Sequence, residues 1–148
     1  MRESRGLTLI EILIVIVLIG LIALLAYPRI GSAVAKENLR SAKGLVGSMH
    51  AKAKATAVQR GQRTVLWFDG DKLVLRSRNP VSGAVDTVGS VEDLYERYGA
   101  TLTPRPTRDS LVFDPRGLGT ETSGTTIYIQ KGSYSDSLVV TSIGRVIK

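Results

Sequence analysis

Three hydrophobic rhythms follow one another along the chain. Residues 7–27 read LTLIEILIVIVLIGLIALLAY, an apolar run in which Glu11 is the only charge. As a helix this run is about 31 Å long at a rise of ~1.5 Å per residue, the thickness of a bilayer core. A segment in lipid must satisfy its own backbone, so a helix is expected there. From residue 30 to about residue 60 the rhythm changes. Ala35, Leu39, Ala42, Val46, Met49, Ala53 and Ala57 recur every three or four residues, which predicts a helix with one apolar stripe packed on a sheet. Pro28 lies between the two segments. It lacks a donor and crowds the carbonyl of Leu24, so a bend in one continuous long helix is expected, the alternative being a helix end at the membrane surface.

The third rhythm is that of short strands between turn signals. Thr64-Val65-Leu66-Trp67-Phe68 and Lys72-Leu73-Val74-Leu75-Arg76 flank Asp69-Gly70-Asp71 and predict a hairpin. Asn79-Pro80-Val81-Ser82-Gly83 is a turn, and Ser90 is placed to cap a short helix over residues 91–98. Residues 111–113, 126–129 and 138–140 read as further strands, with Val146-Ile147 pairing at the end. The expected class is α+β: a long amino-terminal helix, half of it in the membrane, packed on antiparallel sheets.

Charge sharpens this picture. The net charge is +7, yet residues 1–28 and 64–148 are each neutral. The excess lies in residues 29–63, where eight Lys and Arg face Glu37 alone. Lys36, Arg40, Lys43, Gly47, His50 and Lys54 form a second helical stripe beside the apolar one. It is read either as a phosphate-binding surface or as a solvated face, and it holds no aromatic residue to stack a base. Cations that closely follow the apolar run also oppose the positive-inside tendency for a domain placed outside.

Candidate chemistry is sparse. With no cysteine, disulfides and thiolate metal sites are excluded. His50 is the only histidine, so a Ser-His-Asp triad would have to use it within a lysine-rich helical stretch. Asp69 and Asp71 supply too few oxygens for a calcium loop. No cofactor, no metal and no catalytic residue is expected, and the chain is read as a non-enzyme.

The apolar run has bland readings. A cleavable secretory signal would be shorter and followed by a small-x-small site, whereas Ala26-Tyr27-Pro28-Arg29 follows here. A buried helix apolar all round needs a larger protein around it. A plain anchor leaves Glu11 unexplained, because a carboxylate in the run costs roughly 1–3 kcal/mol. Before the run stands the short polar stretch Met1-Arg2-Glu3-Ser4-Arg5-Gly6. Gly6-Leu7-Thr8-Leu9-Ile10-Glu11 with the apolar run after it resembles the leader of type IV prepilins and type II secretion pseudopilins. The resemblance implies a leader over residues 1–6, a transmembrane and assembly helix over 7–28, and a periplasmic domain over 29–148. It implies cleavage by prepilin peptidase between Gly6 and Leu7, with N-methylation of Leu7, where most members have Phe. It also implies assembly through Glu11, paired with the first-residue ammonium of a neighbouring subunit, and through Pro28. The precursor is expected as a single-pass inner-membrane protein, amino terminus cytoplasmic, later built into a pilus or pseudopilus with other pilin or pseudopilin subunits.

Residues 64–148, through Phe113-Asp114-Pro115-Arg116-Gly117, Thr126-Ile127-Tyr128-Ile129 and the ending Leu138 to Val146, resemble the minor-pseudopilin domain of the GspH/FimT type. The resemblance implies a minor pseudopilin of a type II secretion system or, alternatively, a minor type IV pilin in pilus assembly or DNA uptake. DNA-binding members carry Gly-Arg-x-Arg near the end; Gly144-Arg145-Val146-Ile147-Lys148 matches its first two residues, with the lysine one step late. The candidate nucleic-acid contacts are Lys36, Arg40, Lys43, Lys54, Arg145 and Lys148, while Gly144 itself is read first as a tight turn between two strands.

Overall fold

The computed structural model describes residues 8–147, with side chains for all of these except 25–29. It forms two compact units, Met1–Val34 and Ala35–Lys148. Helix α1 (Leu9–Arg60) belongs in part to each and carries through Pro28 without a break in its helical backbone. Its first turn is fixed by Thr8, whose hydroxyl and carbonyl both accept the Glu11 N–H, at 3.2 and 3.1 Å. Thr8 thus acts as an N-cap, and Glu11 falls at the third helical position, where a carboxylate interacts favourably with the positive end of the helix dipole.

In the first unit every described side chain from residue 9 to residue 24 is exposed, Leu9 at 83% and Leu24 at 74%. Among the described residues no helix is long and apolar enough to cross a membrane. The described side chains of the amino-terminal apolar run end at Leu24, and sixteen residues span only about 24 Å. Leu7 and the side chains of residues 25–27, which complete the apolar run in the sequence, lie outside the described set.

The second unit is built around the predicted stripe. Leu39, Ala42, Val46, Met49, Ala53 and Ala57 are all buried, and Ala35 is half-buried at the end of the stripe. The small alanines let strands approach the helix closely. One sheet runs β3-β2-β1-β6, from β1 (Thr64–Asp69), β2 (Lys72–Arg78), β3 (Val85–Thr87) and β6 (Ser110–Phe113). The short β4 (Glu92–Asp93) pairs with the near end of β2. The other sheet runs β5-β7-β8-β9, from β5 (Thr101–Arg105), β7 (Thr125–Lys131), β8 (Tyr134–Val140) and β9 (Val146–Ile147). All pairings are antiparallel. Period-2 alternation sends Leu66, Phe68, Leu73, Leu75, Leu111 and Phe113 inward from one sheet and Ile127, Ile129, Leu138 and Val140 from the other, into one core with the helix. The buried Thr64 hydroxyl donates to the Ser77 hydroxyl directly opposite, at 3.0 Å, so the polar pair inside the first sheet is satisfied.

The predicted hairpin forms with Asp69 opposite Lys72. Gly70 supplies the positive φ, +60°, that a tight two-residue connection needs at its first position. Two expectations fail nearby. The short helix α2 spans only Leu94–Tyr98 and is capped by Asp93, which accepts the Glu96 N–H at 2.9 Å. Ser90 instead donates to Glu92 at 2.6 Å. The cause is the ladder: Glu92 and Asp93 are held in extended form against Leu73 and Lys72, so the helix cannot start before them. Strands β3 and β5 also form where only connecting sequence was expected.

Candidate functional site

A groove of about 510 Å³ opens on the second unit between α1 and the Gly144–Val146 segment. The helix wall is made of small residues, Gly44, Gly47, Ser48 and Ala51, with Arg40, Lys43, His50 and Lys54 among them. The opposite wall is Gly144, Arg145 and Val146. Four of the predicted nucleic-acid contacts, Arg40, Lys43, Lys54 and Arg145, therefore come together around one groove, although Lys54 and Gly144 are ninety residues apart in sequence. Lys36 does not line it and lies 5.4 Å from the centre of the Tyr134 ring. Lys148 lies outside the described residues.

The four cations are not equivalent. The Lys43 ammonium donates to Asp136 at 2.8 Å. Burial pushes the Asp136 carboxyl up, but the bonds from Lys43 and the Ser137 N–H, with the charges of Lys43 and Arg40, outweigh it and leave the group below its ordinary value. Lys54 donates to the Gly144 carbonyl at 3.1 Å and so ties the two walls together. Arg40 lies 4.0 Å from Glu37 on the open helix surface, a weak contact. The exposed Arg145 guanidinium has no partner among the described residues.

The far wall is shaped by a crossing of two backbones. Thr141 accepts the Gly144 N–H at 2.8 Å, and Gly144 has a φ of +75°, so this is the tight turn between β8 and β9. Gly119 passes directly against it and donates to the Ile143 carbonyl at 3.0 Å. A Cβ on Gly119 would sit 2.6 Å from the Ser142 carbonyl oxygen and 2.7 Å from the Gly144 nitrogen. The loop that delivers Gly119 is organised by Asp114, whose carboxylate accepts the Leu118 and Arg116 N–H groups at 2.8 and 2.9 Å. The Leu118 bond is the largest cause holding the Asp114 carboxyl below its ordinary value; slight desolvation opposes it, and Arg116 adds to it.

His50 corrects the sequence reading. The spacing places it in the basic stripe, but it is only 4% exposed. Its ring meets Phe113 edge-on, 5.2 Å between centres at 82°, and its Nε2 has no partner among the described residues. Burial, and then the neighbouring Lys54 charge, push its pKa down to about 4, so the ring is neutral at pH 7. The wheel position of His50 is on the flank of the apolar stripe, and Phe113, distant in sequence, packs against its ring.

The remaining predicted sites are apart from the groove. Glu11 lies exposed in the first turn of α1, and the side chain of Pro28 is outside the described set, as are Gly6 and Leu7. Asp71, weighed as a calcium ligand, is used structurally: its carboxylate accepts the Leu102 N–H at 2.7 Å. Among the described residues no three His, Asp or Glu gather in a metal-binding arrangement. Residues the sequence did not single out as functional include Gly44, Ser48, Ala51 and Gly119; only the Gly-rich run after Asp114 hinted at a close approach.

Comparison with known proteins agrees with this architecture. The family described as "Type II transport protein GspH" matches residues 45–144. The prokaryotic N-terminal methylation motif matches residues 1–27. The crystal structure of the type IV minor pilin FimU from Pseudomonas aeruginosa PAO1 superposes with a TM-score of 0.60 at 20% identity, covering 76% of this chain and 88% of that one. A second crystal form of FimU gives 0.56 at 20% identity, covering 74% and 90%. No curated protein matches the chain.

Proposed function

This chain belongs to the GspH family of type II transport proteins, structural pilin and pseudopilin subunits rather than enzymes, and from that premise we propose that it is a non-catalytic minor pseudopilin of a type II secretion system. The observation that carries the reading is the first unit: residues 9–24 present apolar side chains on all sides, and Glu11 is their only charge. Such a helix finds no partner within its own unit and is suited to lipid first and to neighbouring subunits afterwards. In this reading residues 7–27 hold the precursor in the inner membrane with the domain on the periplasmic side. Prepilin peptidase cuts between Gly6 and Leu7, Leu7 is N-methylated, and the new amine of one subunit neutralises Glu11 of the next. Pairing relieves the cost of an isolated charge in an apolar medium and so favours the docked register.

The test is Glu11→Ala in the native host. The variant is expected to insert and to be cut, yet its co-purification with the other fibre subunits should fall at least tenfold; wild-type recovery would sink the pairing. Gly6→Asp should leave only the precursor band, and a mature-sized band would remove the leader.

The gathering of Arg40, Lys54 and Arg145 at one groove favours a second reading, a minor type IV pilin that binds DNA in uptake. It predicts that the full chain in detergent binds duplex DNA with an affinity that falls steeply with salt. Binding indifferent to salt, or none at low salt, removes it.

A further inference from the structure

We propose that the groove between α1 and β9 accepts an extended peptide bearing carboxylate side chains, which adds to the free edge of β9 as a further strand of the second sheet. The inference concerns the second unit alone and does not depend on how the first unit assembles.

The backbone supplies the first argument. In an antiparallel pair, residues that exchange hydrogen bonds with the partner alternate with residues whose N–H and C=O point away from it. Arg145 is of the first kind, since its carbonyl accepts the Thr141 N–H at 2.8 Å and its own N–H donates to the Thr141 hydroxyl at 2.9 Å. Val146, the next residue and opposite Val140, is therefore of the second kind. Its N–H and C=O face away from β8, no described residue bonds them, and Val146 lines the groove. An unpaired edge of this sort is a template for another strand.

The opposite edge of the same sheet is closed. On β5 the Leu102 N–H is taken by Asp71 at 2.7 Å, and the next position of the same parity is Pro104, which has no N–H to offer. On the second sheet a guest strand is thus directed to the β9 edge.

The groove fits such a guest. The helix wall opposite Val146 is built from Gly44, Gly47 and Ala51, which leave room where larger residues would fill the space. A Cβ on Gly44 would meet nothing within 4 Å. The charge selects the guest's chemistry. Arg40, Lys54 and Arg145 line the groove, and among the described residues no carboxylate lines it; of the acids at its margin, Asp136 is engaged by Lys43 and Glu37 is only in weak contact with Arg40. A strand with small side chains toward the glycines and carboxylates toward the rim satisfies both walls. Nucleic acid would use the charges but not the backbone edge.

The experiment uses the full chain in detergent and a fluorescein-labelled heptapeptide of alternating Thr and Glu, read by anisotropy. Two further peptides of the same charge carry N-methyl groups on the Thr nitrogens or on the Glu nitrogens. The parent peptide should bind saturably, at least one methylated peptide should bind tenfold or more weakly, and Gly44→Leu should weaken parent binding at least tenfold while leaving the thermal midpoint unchanged or raised. The proposal is overturned if the parent does not bind at millimolar concentration, if both methylated peptides bind as well as the parent, if Gly44→Leu binds as tightly as wild type, or if a 20-base single strand of DNA binds while the peptide does not.

Discussion

The two parts of helix α1 use the same kinds of residue to opposite ends. Between residues 9 and 24 the apolar side chains point in every direction and stay exposed, whereas between Leu39 and Ala57 they recur on one stripe and are buried. The period, not the hydrophobicity, separates them. A stripe can be covered by one sheet layer, so the outer helix draws its stability from this chain's own core. A helix apolar all round cannot be covered by one layer, and its described side chains stay exposed.

Core truncation is the strongest way to break that contrast. Phe113 is 1% exposed and touches both His50 and the Gly144 turn, so Phe113→Ala should destabilise the folded domain by about 3–5 kcal/mol in denaturant titrations. Ile14→Ala, a truncation of a 52% exposed residue, should leave the same transition unmoved. An equal loss in both would mean that the first unit is packed in the folded chain after all.

Acid should probe the second unit next. The folded-state pKa of His50 lies at about 4, below the usual 6.5, so the unfolded chain binds more protons between those values. Stability should be complete above pH 6.5 and should fall by roughly 3 kcal/mol as pH drops to 4. Burial of the ring and the neighbouring Lys54 charge oppose its protonation. Asp114 and Asp136, both lowered, act with the same sign but only near and below their ordinary value of 3.8. His50→Gln should flatten the upper window and leave the lower one; a wild-type profile flat from pH 7 to 4 would contradict the burial of His50.

Smaller effects test the groove's frame. Gly119→Ala places a methyl against the backbone of Ser142 and Gly144 and should cost about 2 kcal/mol, read by the same titrations. Lys43→Met should cost under about 1 kcal/mol, and the difference should shrink in high salt, because the Asp136 side chain is 36% exposed.

Period-based features were legible in the sequence: the apolar run, the stripe, the first hairpin and the α+β class all follow from spacing and turn residues. What failed depended on partners far away in the chain. His50 is on the rim of the stripe, and its burial goes with a ring contact to Phe113, far away in the chain. Strand β5 contains Pro104, which argues against a strand until β7 and Asp71 hold it in place. The α2 cap moved from Ser90 to Asp93 because β2 claimed the intervening residues. The groove itself joins residues from both ends of the second unit, and no local pattern announces it.

The contact between Asp71 and Leu102 has a consequence for aggregation. Because the β5 side of the second sheet is stoppered by a carboxylate and a proline, a ladder started at β9 cannot be relayed through the molecule to the next copy. The sheet accommodates a single visitor and then terminates, so leaving the β9 rim uncovered does not let this sheet grow into an endless cross-β stack.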